Sequence, residues 1–289
     1  MNERMIGVIG GSGVYGMDGI EGAAWQDVDT PWGAPSDAVL TGRLGGLRVV
    51  FLPRHGRGHV HSPDSIPYRA NIDAMKRLGV TDLVSVSACG SFREAMAPGD
   101  FVAVDQFIDR TRARPASFFG AGCVAHVSMA HPVCARLSGA AARAARTAGA
   151  RVHGHGTYLA MEGPQFSTLA ESRMYRETLG ADVIGMTAMP EARLAREAEL
   201  CYALLAMVTD YDSWHPDHGT VDIADIIATL GANADRAAAT IAALPGELEP
   251  PGPCPEGCDR ALDHALLTAP EKRDPALVAR LDAVAGRVL

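Results

Sequence analysis

Short apolar runs alternate along the chain with stretches in which apolar residues recur every three or four positions, the pattern of strands alternating with helices. The runs predict strands at 5–9, 47–52, 82–86, 101–104, 157–161, 182–186 and 201–208. Helices are predicted between them: 66–78, closed by Gly79 as a C-cap, then 134–148, 168–179, 191–199 and a long one at 222–243 with one apolar face. No segment repeats. At Leu244-Pro245-Gly246-Glu247 the composition changes, and Pro250-Pro251-Gly252-Pro253-Cys254-Pro255-Glu256-Gly257-Cys258 reads as a turn-rich bridge to a short tail helix near 276–289. The predicted organisation is a main domain over residues 1–248 and an appended arm over 249–289, whose few apolar residues do not suffice for a core of their own.

Polar signals stand where the predicted strands end. Gly10-Gly11-Ser12-Gly13 follows the first, Arg54-His55-Gly56-Arg57 the second, and Ala88-Cys89-Gly90-Ser91 the third. Glu162-Gly163-Pro164-Gln165-Phe166-Ser167, Met186-Thr187 and Thr209-Asp210-Tyr211-Asp212 follow later ones. In open α/β sheets ligands bind beyond the carboxyl ends of strands, so six such loops on one edge would form a single site.

Bulk properties narrow what that site handles. With 289 residues, 47% of them hydrophobic, the chain can build a sizeable core, as one large α/β domain or two smaller ones. Lys plus Arg number 26 against 34 Asp plus Glu, a formal charge of −8, and no basic run is long enough to hold nucleic acid. An anionic substrate must therefore be held by a few placed groups. No apolar stretch approaches the roughly 20 residues of a membrane helix, and the start reads as a first strand rather than a leader, so a cytoplasmic protein is expected. Six cysteines do not make a disulfide scaffold at this length. Cys89, Cys123, Cys134 and Cys201 are scattered, whereas Cys254 and Cys258 form a close pair open to three readings: half a zinc site, a disulfide, or two free thiols.

Each loop carries a functional and a plainer reading. Gly11 to Gly16 spell a literal G-x-G-x-x-G, but no helical stripe and no second strand with a terminal acid follow, which argues against a dinucleotide fold. What remains is a glycine turn whose backbone N–H groups, with the Ser12 hydroxyl, suit an anion. Arg54 offers a planar fork to phosphate and His55 a further bond, against the plainer reading of a surface loop. His55, His59 and His61 cluster, yet no cysteine or paired carboxylate lies near them in sequence, and no metal is expected. Thr168-Leu169-Ala170-Glu171 is a capping box, and Phe166 beside it reads either as core or as a plate for a base. Asp210 and Asp212, two apart on an extended segment, should point the same way at the end of a strand buried almost to its tip.

Taken in order, these segments resemble the trimeric purine nucleoside phosphorylase superfamily, in its 5′-methylthioadenosine phosphorylase branch. The resemblance runs from about Ile6 to Pro245 and also rests on Asp29-Thr30-Pro31-Trp32-Gly33, Tyr68-Arg69-Ala70-Asn71, Asp105-Gln106-Phe107-Ile108-Asp109-Arg110-Thr111 and Pro190-Glu191. It implies a mixed, partly barrel-like sheet flanked by helices, assembled as a homotrimer or a dimer of trimers, acting on nucleoside and phosphate without cofactor. It implies a phosphate set of Ser12, Arg54, His55 and Thr187, helped by backbone near Ser87 and Ala88, with Ser12 where many relatives have threonine. Met186 would lie beneath the ribose and Phe166 on the purine, with Ser167, Asp210 and Asp212 along its polar edge. Ile223, Ile226 and Ile227 would wall the 5′-substituent, and His126 would reach into a neighbouring subunit's pocket. Phosphorolysis needs a proton or hydrogen bond at purine N7, for which a buried Asp210 with a raised pKa is expected. A carboxyl at 210 favours a 6-amino purine, and apolar walls favour a methylthio group over a hydroxyl. The alternatives are a 6-oxopurine nucleoside or methylthioinosine phosphorylase, a hydrolytic nucleosidase, a nucleoside-binding protein without turnover, and a nicotinamide dehydrogenase. The arm beyond Pro250 departs from the family pattern, although relatives from hot environments carry tail cysteine pairs as disulfides.

Overall fold

A computed structural model describes residues 4–11, 19–215 and 223–289, with side chains in the last stretch from 229 onward. Eleven strands form one mixed sheet: β1 Met5–Gly10, β2 Glu21–Gln26, β3 Val39–Leu44, β4 Leu47–Pro53, β5 Asp82–Ser91, β6 Phe101–Val104, β7 Gln106–Asp109, β8 Val152–His153, β9 Thr157–Ala160, β10 Val183–Gly185 and β11 Cys201–Asp210. The helices are α1 Tyr68–Arg77, α2 Ala135–Thr147, α3 Leu169–Arg173, α4 Ala188–Glu197, α5 Ile223–Glu247, α6 Pro275–Arg280 and α7 Asp282–Ala285. All seven predicted strands form.

Along its main path the sheet runs β2-β3-β4-β1-β5-β10-β9-β7, and it branches at β5, which also pairs with β11. The strands therefore make an open mixed α/β sheet flanked by helices rather than a closed barrel. β1, β4, β5 and β11 run parallel, so their carboxyl ends share one edge. β10 crosses that edge antiparallel to β5, setting Ile184 opposite Gly90. Such parallel strands read as unbroken apolar runs because both faces are covered. One core cluster gathers Ile9, Leu52, Ile72, Leu83, Leu194 and Leu204; a second gathers Val8, Phe51, Val84, Leu137, Leu205 and Ile241.

Local chemistry sets the helix boundaries. α1 starts at Tyr68 rather than 66, because Pro67 keeps Ile66 out of helical conformation. Its end is as read: Gly79, at φ +88°, donates back to Lys76. The predicted capping box forms at Thr168 and Glu171, after which α3 passes into a π turn over Met174–Thr178.

The arm is bound to the main sheet at several points. Leu262, Leu281 and Val284 bury in the first core cluster, and Cys254 and Cys258 in the second. Arg77 pairs with Asp282, and Arg287 bridges Glu199 and Asp263. Cys134 and Cys201 prove not to be scattered. Cys134 caps the start of α2 and Cys201 opens β11, which puts both against the arm's cysteine pair.

Candidate active site

The ends of β1, β4, β9, β10 and β11 gather around the carboxyl half of β5. The Arg54 amide donates to Gly10 O at 2.9 Å, and the Met161 amide to Gly185 O at 2.9 Å, stitching neighbouring strand ends together. At the centre the Ser87 and Thr187 hydroxyls lie 3.1 Å apart, both buried. Their contact uses one of the two hydroxyl protons, so the pair offers one outward donor to an anion. Beneath them Tyr158 carries a buried hydroxyl whose pKa burial pushes up to about 12, so it stays a neutral donor. Gly185 is required by this packing, since a β-carbon there would overlap the Tyr158 hydroxyl.

The expected phosphate fork of Arg54 is turned inward. Its Nε donates to Glu191 Oε2 at 2.9 Å, Nη1 to Val86 O at 3.1 Å, and Nη2 to Ser85 Oγ at 2.6 Å and Ile9 O at 3.2 Å. Only one N–H, on Nη1, is left without a protein acceptor among the described residues. A guanidinium buried to 1% exposure must be neutralised, and Glu191, held in turn by the Tyr202 hydroxyl at 2.9 Å, does so. Its fork is thus taken up by protein acceptors and leaves no two N–H groups side by side for a bidentate grip.

His55 stands next to it, half-buried and stacked on His59 at 4.2 Å between ring centroids. Its Nδ1 lies 2.9 Å from His61 O, and a carbonyl only accepts, so Nδ1 carries the proton. Burial, reinforced by the positive Arg54 and by His59 and His61, lowers its pKa to about 4. The ring is therefore neutral at pH 7, and its Nε2 accepts, matching the hydroxyl of a monoprotonated phosphate. Between about 4 and 6.5 the unfolded histidine binds a proton and the folded one does not, so stability falls as pH drops through that window. His55→Asn, which keeps a donor for His61 O, should remove roughly 2 kcal/mol of that acid sensitivity after allowance for partial exposure. Urea melts at pH 7 and pH 4.5 check this; equal slopes in both proteins would refute it.

At the other end of the site Asp210 lies opposite Gly90, where a register shift ends the β11–β5 pairing. A β-carbon on Gly90 would come within 2.8 Å of Asp210 Oδ1 and 3.3 Å of Asp212 Cβ, so only glycine leaves room for the acids. The acids do not share an extended segment as expected. Asp212 takes φ +49° and opens a short 3-10 turn, so its amide bonds Asp210 Oδ1 at 2.8 Å. Thr209 Oγ1 donates to Asp210 Oδ2 at 2.7 Å. The acid held above its usual range is Asp212, raised by burial and by the nearby Asp210 charge, with Ser172 and Ser167 opposing.

Ser167, buried, accepts from the Ser213 hydroxyl at 2.9 Å through its carbonyl, which joins the loop after β9 to the turn after β11. Phe166 beside it is 49% exposed, a ring free to stack rather than a core residue. Met186 is half-buried, and His126 is exposed with its amide bonded to Ala265 O at 2.9 Å. Ala88 is half-buried on β5. Ser12 lies outside the described residues; Ile223, Ile226 and Ile227 lie on α5, outside the stretch whose side chains are described.

Sequence reading missed Arg114. Its guanidinium is buried, pairs with Glu162 at 2.9 Å, and bonds Tyr68 Oη at 2.9 Å and Met189 O at 2.8 Å, as well as the carbonyls of Met186 and Glu162. One side chain thus fixes the loop that carries Phe166 against the turn that carries Met186 and Thr187. In sequence it stands in Arg112-Ala113-Arg114-Pro115, which reads as a solvated turn.

A cradle of hydroxyls beside a carboxylate pair, at the carboxyl edge of a mixed sheet, fits an enzyme that brings an anion to one end of a bound molecule and donates bonds at the other. The family model of the phosphorylase superfamily matches residues 5–244, and the chain belongs to that superfamily. It is 72% identical to the S-methyl-5′-thioadenosine phosphorylase of Cereibacter sphaeroides, over 99% of each chain. Its identity to the enzyme of that name from Bradyrhizobium diazoefficiens is 60%, over 100% of this chain and 99% of the relative. Among solved structures, a methylthioadenosine phosphorylase from an Antarctic soil metagenomic library superposes with a TM-score of 0.90 at 45% identity, covering 98% of this chain and 99% of the other. A variant adenosine/methylthioadenosine phosphorylase from Schistosoma mansoni, solved with methylthioadenosine, gives 0.78 at 34% identity over 84% and 90%.

Proposed function

We propose that the chain catalyses phosphorolysis of 5′-methylthioadenosine to adenine and 5-methylthioribose 1-phosphate. The observation that carries this reading is the placing of two unlike groups on one strand edge. The Ser87–Thr187 hydroxyl pair and the Asp210–Asp212 pair opposite Gly90 stand three residues apart along β5, about 10 Å. That is the span of a ribose between an anion below it and a base edge beyond it.

The mechanism follows from the residues. Phosphate sits on the Ser87 and Thr187 hydroxyls with His55 Nε2 accepting its proton, while the buried Arg54 charge favours the anion. Held beneath C1′, it meets the oxocarbenium-like sugar as the glycosidic bond breaks, so positioning supplies much of the rate. Phe166 stacks on the purine and Met186 supports the ribose. Asp210 accepts from the exocyclic amine through a carboxyl oxygen. The proton destined for N7 is held on the acid pair, with Asp212 the member whose burial favours the neutral form. We assign Ser12 to the phosphate loop, and Ile223, Ile226 and Ile227 to the 5′-substituent wall. The exposed His126 suits a reach across a subunit boundary in a cytoplasmic homotrimer.

Free-base release should be measured from methylthioadenosine, adenosine, inosine and methylthioinosine, with and without phosphate. The expected result is strictly phosphate-dependent adenine release, fastest from methylthioadenosine. Faster turnover of inosine would overturn the 6-amino assignment, and release without phosphate would mark a hydrolase.

A further inference from the structure

At the opposite end of β11 from Asp210 lies a second cluster that phosphorolysis does not use. The Sγ atoms of Cys134, Cys201, Cys254 and Cys258 all fall within 4.8 Å of one another, and all four residues are buried. They come from three places: the cap of α2, the first residue of β11, and the turn that starts the arm. We propose that these four thiolates bind one structural zinc ion, which staples the arm to the sheet.

The geometry points to a metal rather than to disulfides. Zinc–thiolate bonds of about 2.3 Å put tetrahedral sulfurs about 3.8 Å apart, and Cys134 Sγ lies 3.8 Å from Cys254 Sγ. Disulfide bonding sorts sulfurs into two pairs in close contact, whereas here all four are mutual neighbours. The arm supplies its two ligands from Cys254-Pro255-Glu256-Gly257-Cys258, a spacing within the range of structural zinc sites. Gly257, at φ +68°, turns that loop and returns its amide to Cys254 O at 2.9 Å. The Glu256 carboxylate meanwhile accepts from the Ala135 and Arg136 amides at the start of α2, clamping the loop beside Cys134.

Charge balance is also provided. Four thiols binding a divalent ion release four protons and leave a site of charge −2. Arg196 Nη1 lies 3.5 Å from Cys258 Sγ. Arg136 interacts with Cys201 as well as with Asp82, and its Nη1 is buried without an oxygen acceptor. Two guanidinium groups thus face the sulfurs as outer partners of a thiolate site. A cavity of about 420 Å³, lined by Arg4, Asp82, Arg136, Glu199, Cys201 and Cys254, gives an entry path. Cys201 and Asp210 stand at opposite ends of one strand, about 30 Å apart, and four protein ligands leave no open position, so the ion is structural.

The test uses the full-length protein purified in reductant without chelator. Elemental analysis and native mass spectrometry should find about one zinc per chain. After exchange for cobalt(II), the absorption should be that of a tetrahedral tetrathiolate. Cys254→Ser should lose the zinc and melt at lower temperature while keeping kcat. Arg196→Met, which spares the ligands and so the fold, should bind zinc about tenfold more weakly. Metal-free protein that takes up neither zinc nor cobalt under reductant would overturn the proposal, as would peptide mapping that finds these cysteines joined as disulfides.

Discussion

Substituting leucine for Glu191 is expected to destabilise the fold by about 3–5 kcal/mol, the range for breaking a buried ion pair by removing one partner. Arg54 sits at 1% exposure with four of its five N–H directions taken, and Glu191 at 2% carries the only countercharge bonded to it among the described residues. Leucine removes that charge and also strips the Tyr202 hydroxyl of its acceptor. A guanidinium cannot shed its proton to escape, so the full cost of a buried unpaired charge falls on the native state. Against a total stability of about 5–15 kcal/mol the loss is severe. The double variant Arg54→Met/Glu191→Leu removes both charges together and should recover more than half of it. Urea denaturation of all three proteins decides the matter. A single variant within 1 kcal/mol of wild type would show that the pair is not the keystone of the strand ends it joins.

That pair also shows where the sequence was informative and where it was not. Pro190-Glu191 and Arg54-His55 are visible as motifs, but their union depends on β1, β4, β5 and α4 meeting in space, which no local pattern encodes. The strands around the site were legible because buried parallel strands are continuous apolar runs. β2 was not, since its residues are all exposed and it exists by pairing with β3. β8 is too short for a pattern to register, and β7, Gln106–Asp109, has only two apolar residues between polar ends. Arg114 was hidden in a polar stretch that only the fold buries. The cysteines failed for the same reason: Cys134 and Cys201 belong to two elements whose amino ends the sheet brings together. At the acids, spacing alone suggested that Asp210 and Asp212 point alike, whereas the left-handed turn at Asp212 leaves Asp210 half-buried and Asp212 buried. At Arg54, Arg114 and the cysteines the deciding contact joins residues distant in sequence, while in each success the signal lay within one element.

Replacing Asp210 by asparagine is expected to lower kcat/KM on methylthioadenosine by about 10²–10⁴-fold, the span of a positioned proton-handling group. The substitution keeps size and shape: its amide oxygen, in place of Oδ1, still accepts from the Asp212 N–H, and its NH2, in place of Oδ2, donates to the Thr209 hydroxyl oxygen. The fold should therefore hold, and melting temperature should barely change. What changes is the edge offered to the base. A carboxylate presents acceptors alone, whereas an amide presents one acceptor and two donors. Toward adenine the amide sets a donor against an exocyclic amine and no longer supports the negative charge that favours a proton on Asp212. Toward a 6-oxopurine the same donor meets a carbonyl. The loss on inosine should accordingly be smaller than on methylthioadenosine, so that the ratio of the two kcat/KM values moves toward the oxopurine. Phosphate KM should stay within about twofold, because the Ser87–Thr187 cradle lies three residues away along β5. Equal losses on both nucleosides would mean that Asp210 shapes the pocket without reading the base, and an unchanged rate on methylthioadenosine would remove it from the chemistry altogether.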